Sequence, residues 1–321
     1  MSERGPAAAG TGARTDVRLG GVVGAGALSA LLCGLVAHVP ALAPLSIVSP
    51  LPLAVQRLHG GTASAWLAIA LATALVAAAT GPGAAVSFLL ALALPGLLLG
   101  ESLARGRGLL RGCAWAFALL TIEVSLALGF AGDAVARRSV EPFEQLRSEA
   151  FLSELKASGV PADRVSEFAE QATDLRDVMA VVFPAAWVIG AAVLVLANAA
   201  LLRLYLLRRD PGWLEDGEFE RIHFPLGLVL VFVVAGASVA LPVARPVAYN
   251  ALLLVAFFFA LQGLAVVGFY ARRLAAPPLL RAALLVLVLA NPWAPQILAL
   301  LGLFDNWFDF RRWAEPPAEK A

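Results

Sequence analysis

Glu123 stands in "LLTIEVSLAL", near the middle of a long apolar run. A carboxylate at bilayer depth costs several kcal/mol unless it is neutral, paired or hydrated. It is therefore a candidate contact for a substrate, an ion or a proton in a polar cavity. An internal hydrogen bond between helices is the competing account. Asn198, Asn250, Gln262 and Asn291 are the other deep polar residues, and buried amides commonly hold membrane helices together. Glu123, Asn250 and Gln262 form the candidate substrate-binding set. Near the C-terminus, in "GLFDNWFDFRRW" (residues 302–313), Asp305 and Asp309 are four residues apart. On a helix they share a face and could hold a metal, but Arg311 and Arg312 stand beside them, so no metal site is expected. His38, His59 and His223 are far apart, and neither His-Glu-x-x-His nor Gly-x-Ser-x-Gly occurs. Cys33 and Cys113 are too few and too isolated for a metal pattern or a disulfide framework. "GVVGAG" (residues 21–26) has no following Gly-Lys-Ser/Thr and no preceding strand, so it is not a phosphate loop. No catalysis, cofactor or nucleotide binding is expected of this chain.

The elements that position these residues are membrane helices. Of 321 residues, 60% are hydrophobic and 15% charged, where soluble domains carry about a quarter charged. Mean hydropathy is +0.81. A net charge of +1 excludes the strong positive field of a nucleic-acid binder. Only two of the 24 basic residues, Lys156 and Lys320, are lysine, a bias expected of a GC-rich bacterial genome. The expected location is the bacterial inner (cytoplasmic) membrane. "ALA" at residues 41–43 resembles a signal-peptide cleavage site, but Pro44 follows it, so the first run is expected to stay as an uncleaved span.

Each crossing needs about 20 apolar residues. Apolar runs occupy residues 19–37, 45–55, 62–79, 84–99, 109–130, 178–202, 225–240, 247–270 and 279–303. The expected fold is an all-α polytopic bundle of about nine transmembrane helices, or eight if residues 45–55 do not cross, with one extramembrane helical hairpin. Its parts are a tail (1–17), a first bundle (18–131), an insert (132–177), a second bundle (178–303) and an amphipathic end (304–321). With nine spans and a cytoplasmic N-terminus, 14 of the 24 basic residues fall on the cytoplasmic side, as the positive-inside rule requires. "NPWAP" (residues 291–295) kinks or splits the last span; a reversal there would return the tail to the cytoplasm.

The insert holds ten acidic and six basic residues. Gly159 can end one helix and Pro161 open the next. Val165, Phe168, Ala172, Leu175 and Met179 then recur at helical spacing, a stripe suited to packing, and this second arm runs on into the sixth span. In the first span Gly26, Ala30 and Gly34 make one smooth face. Small residues allow close approach of a neighbouring helix, either from the same chain or from another membrane subunit. At the C-terminus, Phe304, Trp307 and Phe308 should share one side, with Asp305, Asp309 and Arg312 on the other. Trp and Arg anchor helix ends at the interface, so Asp305, Trp307, Phe308, Asp309, Arg311 and Arg312 are expected to form an interfacial motif in contact with the bilayer.

Two resemblances extend this. "FALQGLAVVGFYARR" (residues 259–273) and "LGLFDNWFDFRRW" (301–313), with "SPLPLAVQRLHGG" (49–61) and "FPLGLV" (224–229), resemble the YybS-like bacterial membrane proteins, a family that implies no activity or substrate. "SIVSPLPLAVQRLHGGTASAW" (46–66) is similar to the front of the S components of energy-coupling-factor transporters, which bind small molecules and dock through small-residue helix faces. S components have six spans and no long insert, and no binding motif transfers to this chain. A non-catalytic membrane scaffold or regulator is the function expected; a transport-related, small-molecule-binding protein is the alternative.

Overall fold

A chain in hydrocarbon has no water to satisfy its backbone, and the helix meets every peptide group internally. In the computed structural model every regular element among the described residues is helical. The described residues are 19–39, 42–215, 218–275, 277, 291 and 293–312. The tail 1–17, most of the expected last span before Ala294, and the end from Trp313 lie outside them. Among the described residues, five helices are long and apolar enough to cross a membrane: Leu51–Thr80, Pro82–Ala104, Leu109–Ala157, Ala162–Arg209 and Arg245–Arg273. Shorter apolar helices cover Leu19–Leu35 and Gly227–Ser238.

The chain forms two compact units, residues up to 119 with 194–214, and 120–193 with the residues from 215 onward. The division falls inside two long helices, Leu109–Leu146 and Ala162–Arg209, each of which runs between an apolar run and the insert.

The first unit contains α1 (Leu19–His38), α2 (Ala43–Ser46), α3 (Leu51–Thr80), α4 (Pro82–Phe88) and α5 (Leu94–Ala104). The run at 45–55 is not a helix of its own. It is divided between α2, a turn, and the start of α3, where Pro52 occupies an opening position that tolerates a missing N–H. Inside α3, Gly61 takes φ 81° and ψ 177°, which glycine adopts without strain. The arm before it, residues 51–60, runs alongside α5 in the same direction. A Cβ on Gly96 would lie 2.7 Å from Pro50 O, and one on Gly100 2.7 Å from Ala54 O. The same arm runs opposite to α1: Ser29 Oγ donates to Ser49 O at 2.5 Å, and Gly21 faces Gln56. The arm after Gly61 follows α1, with Gly26 against Ala68 and Leu71. The chain therefore turns back at Gly61, and residues 45–60 return it toward the level where α1 began. A π-helical turn, Leu89–Ala93, joins α4 to α5 just ahead of Pro95, where the proline lacks an N–H.

In the second unit, α6 (Leu109–Leu146) enters from the first and continues past a break at Ala131 into the insert. Ser148 caps α7 (Glu149–Ala157), its Oγ accepting from Phe151 N at 3.3 Å. Gly159, at φ 90°, turns the chain, and α8 (Ala162–Arg209) follows Pro161. The second arm does continue into the sixth apolar run. Val165 and Ala172 are buried, and the Phe151 and Phe168 rings stand 6.0 Å apart. Leu175 is exposed and Met179 half-buried, so the expected packing stripe is interrupted at Leu175. Arg176 links the arms through Glu144 at 3.6 Å.

The same unit holds α9 (Gly227–Ser238), α10 (Arg245–Arg273) and α11 (Ala294–Phe308). α10 and α11 meet backbone to backbone. A Cβ on Gly302 would lie 1.9 Å from Phe259 O, and one on Gly263 2.1 Å from Leu298 O. Gly302→Ala should therefore force the helices apart and cost about 1–3 kcal/mol or more. Gly190→Ala, inside α8 and with an added Cβ that meets nothing within 4 Å, should keep or slightly raise stability. Thermal unfolding of the detergent-solubilised variants checks this; equal midpoints for both would refute the close contact.

Candidate functional site

Gln262 lies on α10 three residues past Phe259, the middle of that 29-residue helix, about 4.5 Å along the axis. It is fully buried. An amide at that depth must spend its donors and acceptor on the protein, and it does. Its Oε1 accepts from Phe224 N at 2.9 Å, and its Nε2 donates to Asp305 Oδ2 at 2.9 Å. His223 Nδ1 stands 3.4 Å from the same nitrogen. Phe224 N needs this acceptor because residues 222–226 lie between a 3-10 turn, Phe219–Arg221, and the start of α9, without a helical ladder of their own.

Asp305, on the last turn of α11, is 1% exposed. A carboxylate near a helix C-terminus faces the negative end of the helix dipole and needs compensation. The backbone supplies it: α11 ends at Phe308, Asp309 takes the left-handed conformation at φ 43°, and the chain folds back. Phe310 N then donates to Asp305 Oδ1 at 3.1 Å, and Arg311 Nη2 to Oδ2 at 2.9 Å. Three donors converge on one carboxylate, whose oxygens are acceptors. Arg311 also donates to Glu220 O at 2.9 Å and Ile222 O at 2.8 Å. Glu220 in turn pairs with Arg272 at 2.5 Å, and Tyr270 Oη donates to Phe310 O at 2.5 Å. The network ties the 218–224 loop, α10 and the C-terminal turn together.

This corrects the expected amphipathic arrangement. Asp305 does not share an outer face with Asp309 and Arg312; it is inside, with Arg311. The left-handed turn at Asp309 is the cause, since a continuing helix would carry Arg311 away from it. Asp309 and Arg312 are exposed and joined by a backbone bond from Arg312 N to Asp309 O. Phe304, Trp307 and Phe308 are about half exposed, at 46%, 56% and 49%, on the side expected to meet lipid.

The three candidate binding residues do not meet. Asn250 is twelve residues from Gln262 on α10, about 18 Å along the axis. Its amide sits astride one turn of α8: Oδ1 accepts from Ala185 N at 2.8 Å and Nδ2 donates to Val181 O at 2.8 Å. Pro184 lies within that turn, where a proline disturbs the helical ladder and a polar side chain can enter it. Glu123, on α6, is half-buried, and its Oε1 has no hydrogen-bond partner. Asn198 Nδ2 returns to Leu194 O at 2.9 Å. In α1, Gly26 and the buried Ala30 pack within the chain, while a Cβ on Gly34 would meet nothing within 4 Å.

A second cluster lies in the first unit. Glu101 pairs with Arg57 from α3 and with Arg105 at 2.6 Å. Glu101 stands in the apolar "LLLGESLA", so the signal that singled out Glu123 was present there too. Glu220, His223 and Arg272 carried no such signal; only the fold brings them to Asp305. Beside the network, an open groove of about 340 Å³ is lined by Val266, Val267, Tyr270, Ala271, Leu274, Leu301 and Phe310.

The sequence matches the family DUF2232, described as predicted membrane proteins, over residues 27–306, and the chain belongs to that family. No curated protein and no solved structure matches it.

Breaking a buried ion pair leaves a charge uncompensated, at a cost of about 3–5 kcal/mol. Arg311→Gln should lose that much, measured by thermal or denaturant unfolding in detergent. Asp305→Asn with Arg311→Gln should recover more than half of it. If the double variant is instead the sum of the two single ones, the pair is not coupled.

Proposed function

We propose that this member of DUF2232 is a non-catalytic membrane scaffold or regulator. One observation carries the reading: of the three candidate binding residues, Asn250 and Gln262 are committed to the chain's own backbone and side chains, as is the buried Asp305. The bonds join helices to loops and helices to one another, which is what a fixed framework needs.

The alternative is a transport-related protein that binds a small molecule, in the manner of an energy-coupling-factor S component. Glu123 supports it, as a half-buried carboxylate oxygen without a partner. The YybS-like resemblance is compatible with either reading. Small molecules extracted from the protein purified in mild detergent distinguish the two by mass spectrometry. The scaffold predicts no stoichiometric metabolite in wild type or in Glu123→Gln. A metabolite retained by wild type and lost from Glu123→Gln would replace the scaffold with the transporter.

The topology we propose has about nine membrane-embedded segments, in a bacterial inner membrane, with the N-terminus in the cytoplasm. The return through residues 45–60 supports it, because it sets the start of α1 at the same end of the first unit as Arg57 and Arg105. In the second unit, the bonds from Arg311 to the 220–222 loop and from Tyr270 to Phe310 support a last segment that turns back toward the end marked by Arg272 and Arg273. The arginine bias assigns both ends to the cytoplasm. In a cysteine-free background, Ser158→Cys in the insert should react with an impermeant maleimide on intact spheroplasts. Arg107→Cys should react only after permeabilisation, and the reverse pattern would invert the topology.

A further inference from the structure

The open groove beside the Asp305 network has walls without a charged side chain: Val266, Val267, Tyr270, Ala271 and Leu274 from α10, with Leu301 and Phe310 opposite. Its volume of about 340 Å³ falls in the range of ligand sites, about 300–1,000 Å³. It lies along the last two turns of α10, next to the helix end that carries the basic pair Arg272 and Arg273. Tyr270 Oη holds Phe310 O at 2.5 Å, so the 309–312 turn closes against this end of α10.

The charges around the mouth are not equivalent. Arg272 is taken by Glu220 and Arg311 by Asp305. Arg273 follows directly on Arg272 and precedes the wall residue Leu274; Arg312 is two residues past the wall residue Phe310. Both are exposed, and among the described residues neither forms an ion pair. Asp309, on the same turn as Arg312, is also exposed and has no ion pair among the described residues. Among those residues this end of α10 therefore carries two unpaired guanidinium groups and one unpaired carboxylate. An apolar slot opening at a helix end beside these arginines matches a molecule with a hydrocarbon tail and an anionic head.

We infer that this groove is a binding site for an anionic phospholipid, its acyl chain lying against Val266, Tyr270, Ala271 and Phe310 and its phosphate held by Arg273 and Arg312. The site goes beyond the scaffold reading and does not depend on it. Basic residues at the end of a membrane helix each strengthen anionic-lipid attraction severalfold. The aliphatic walls select against a free phosphate or sugar phosphate, which would leave them empty.

Native mass spectrometry of the full chain in mild detergent tests this, with phosphatidylglycerol or phosphatidylcholine of identical acyl chains added. Phosphatidylglycerol should be retained about tenfold better than phosphatidylcholine, and inorganic phosphate should give no adduct. Arg273→Gln with Arg312→Gln should abolish the headgroup preference while keeping the wild-type unfolding midpoint, because neither residue supports the fold. Ala271→Trp, which fills the groove, should reduce retention of both lipids. Equal retention of the two lipids by wild type, or an unchanged preference in the double arginine variant, would overturn the site. So would a phosphate adduct as strong as the lipid one.

Discussion

A carboxylate buried at the end of an apolar helix constrains everything around it. Asp305 is 1% exposed, and a charge so placed persists only with partners close at hand. The partners come from three directions: the turn that follows α11, the side chain of Gln262 on α10, and Arg311, which is itself held by the carbonyls of Glu220 and Ile222. Each partner fixes an element that has little else to hold it. The 218–224 loop has only a 3-10 turn of regular structure, and the C-terminal turn is no longer a helix. The polar network gives this part of the fold one register. Apolar helices in lipid could otherwise slide, because hydrocarbon favours no particular face.

Glycine does the complementary work. At Gly263 and Gly302 the helices touch through their backbones, which brings Gln262 and Asp305, each one or three residues along, within hydrogen-bond range. The first unit is built on the same two devices. Gly96 and Gly100 let α5 approach the opening arm of α3, and one residue past Gly100, Glu101 reaches Arg57. In both places a small residue sets the helix separation and a neighbouring acid uses the closeness.

The helical class, the apolar runs and the hairpin insert were legible in the sequence because each rests on local pattern: run length, 3.6-residue recurrence, and glycine or proline at turns. The reversal at Gly61 was partly legible in the separation of the apolar runs at 45–55 and 62–79, but the direction of the arm depends on where Ser49 and Gln56 find partners. The role of Asp305 was hidden for a specific reason. Helical periodicity places it with Asp309 and Arg312, and periodicity assumes that the helix continues. One left-handed residue, an aspartate with no glycine beside it to announce the turn, reassigns the whole motif. Gln262 and Asn250 were visible as deep polar residues, yet their partners, backbone groups of distant segments and for Gln262 also the Asp305 carboxylate, could not be read from local pattern.

How these polar groups are used bears on the kind of protein this is. A carrier must exchange two arrangements of its helices, and the groups that bind its cargo must be able to give up one partner for another. Gln262 meets a backbone N–H on one side and a buried ion pair on the other. Releasing it would orphan Phe224 N and remove a donor from Asp305 in the same step. Sliding α11 along α10 would carry Phe259 O and Leu298 O off the glycines they face and onto neighbouring residues that have a Cβ. Asn250 holds both a donor and an acceptor of one turn of α8, so its release exposes two groups at once. Each contact raises the cost of moving the others. Such coupling suits a framework that keeps one shape. Glu123 on α6, unbonded at Oε1, and Asn198 on α8, unbonded at Oδ1, stand outside it.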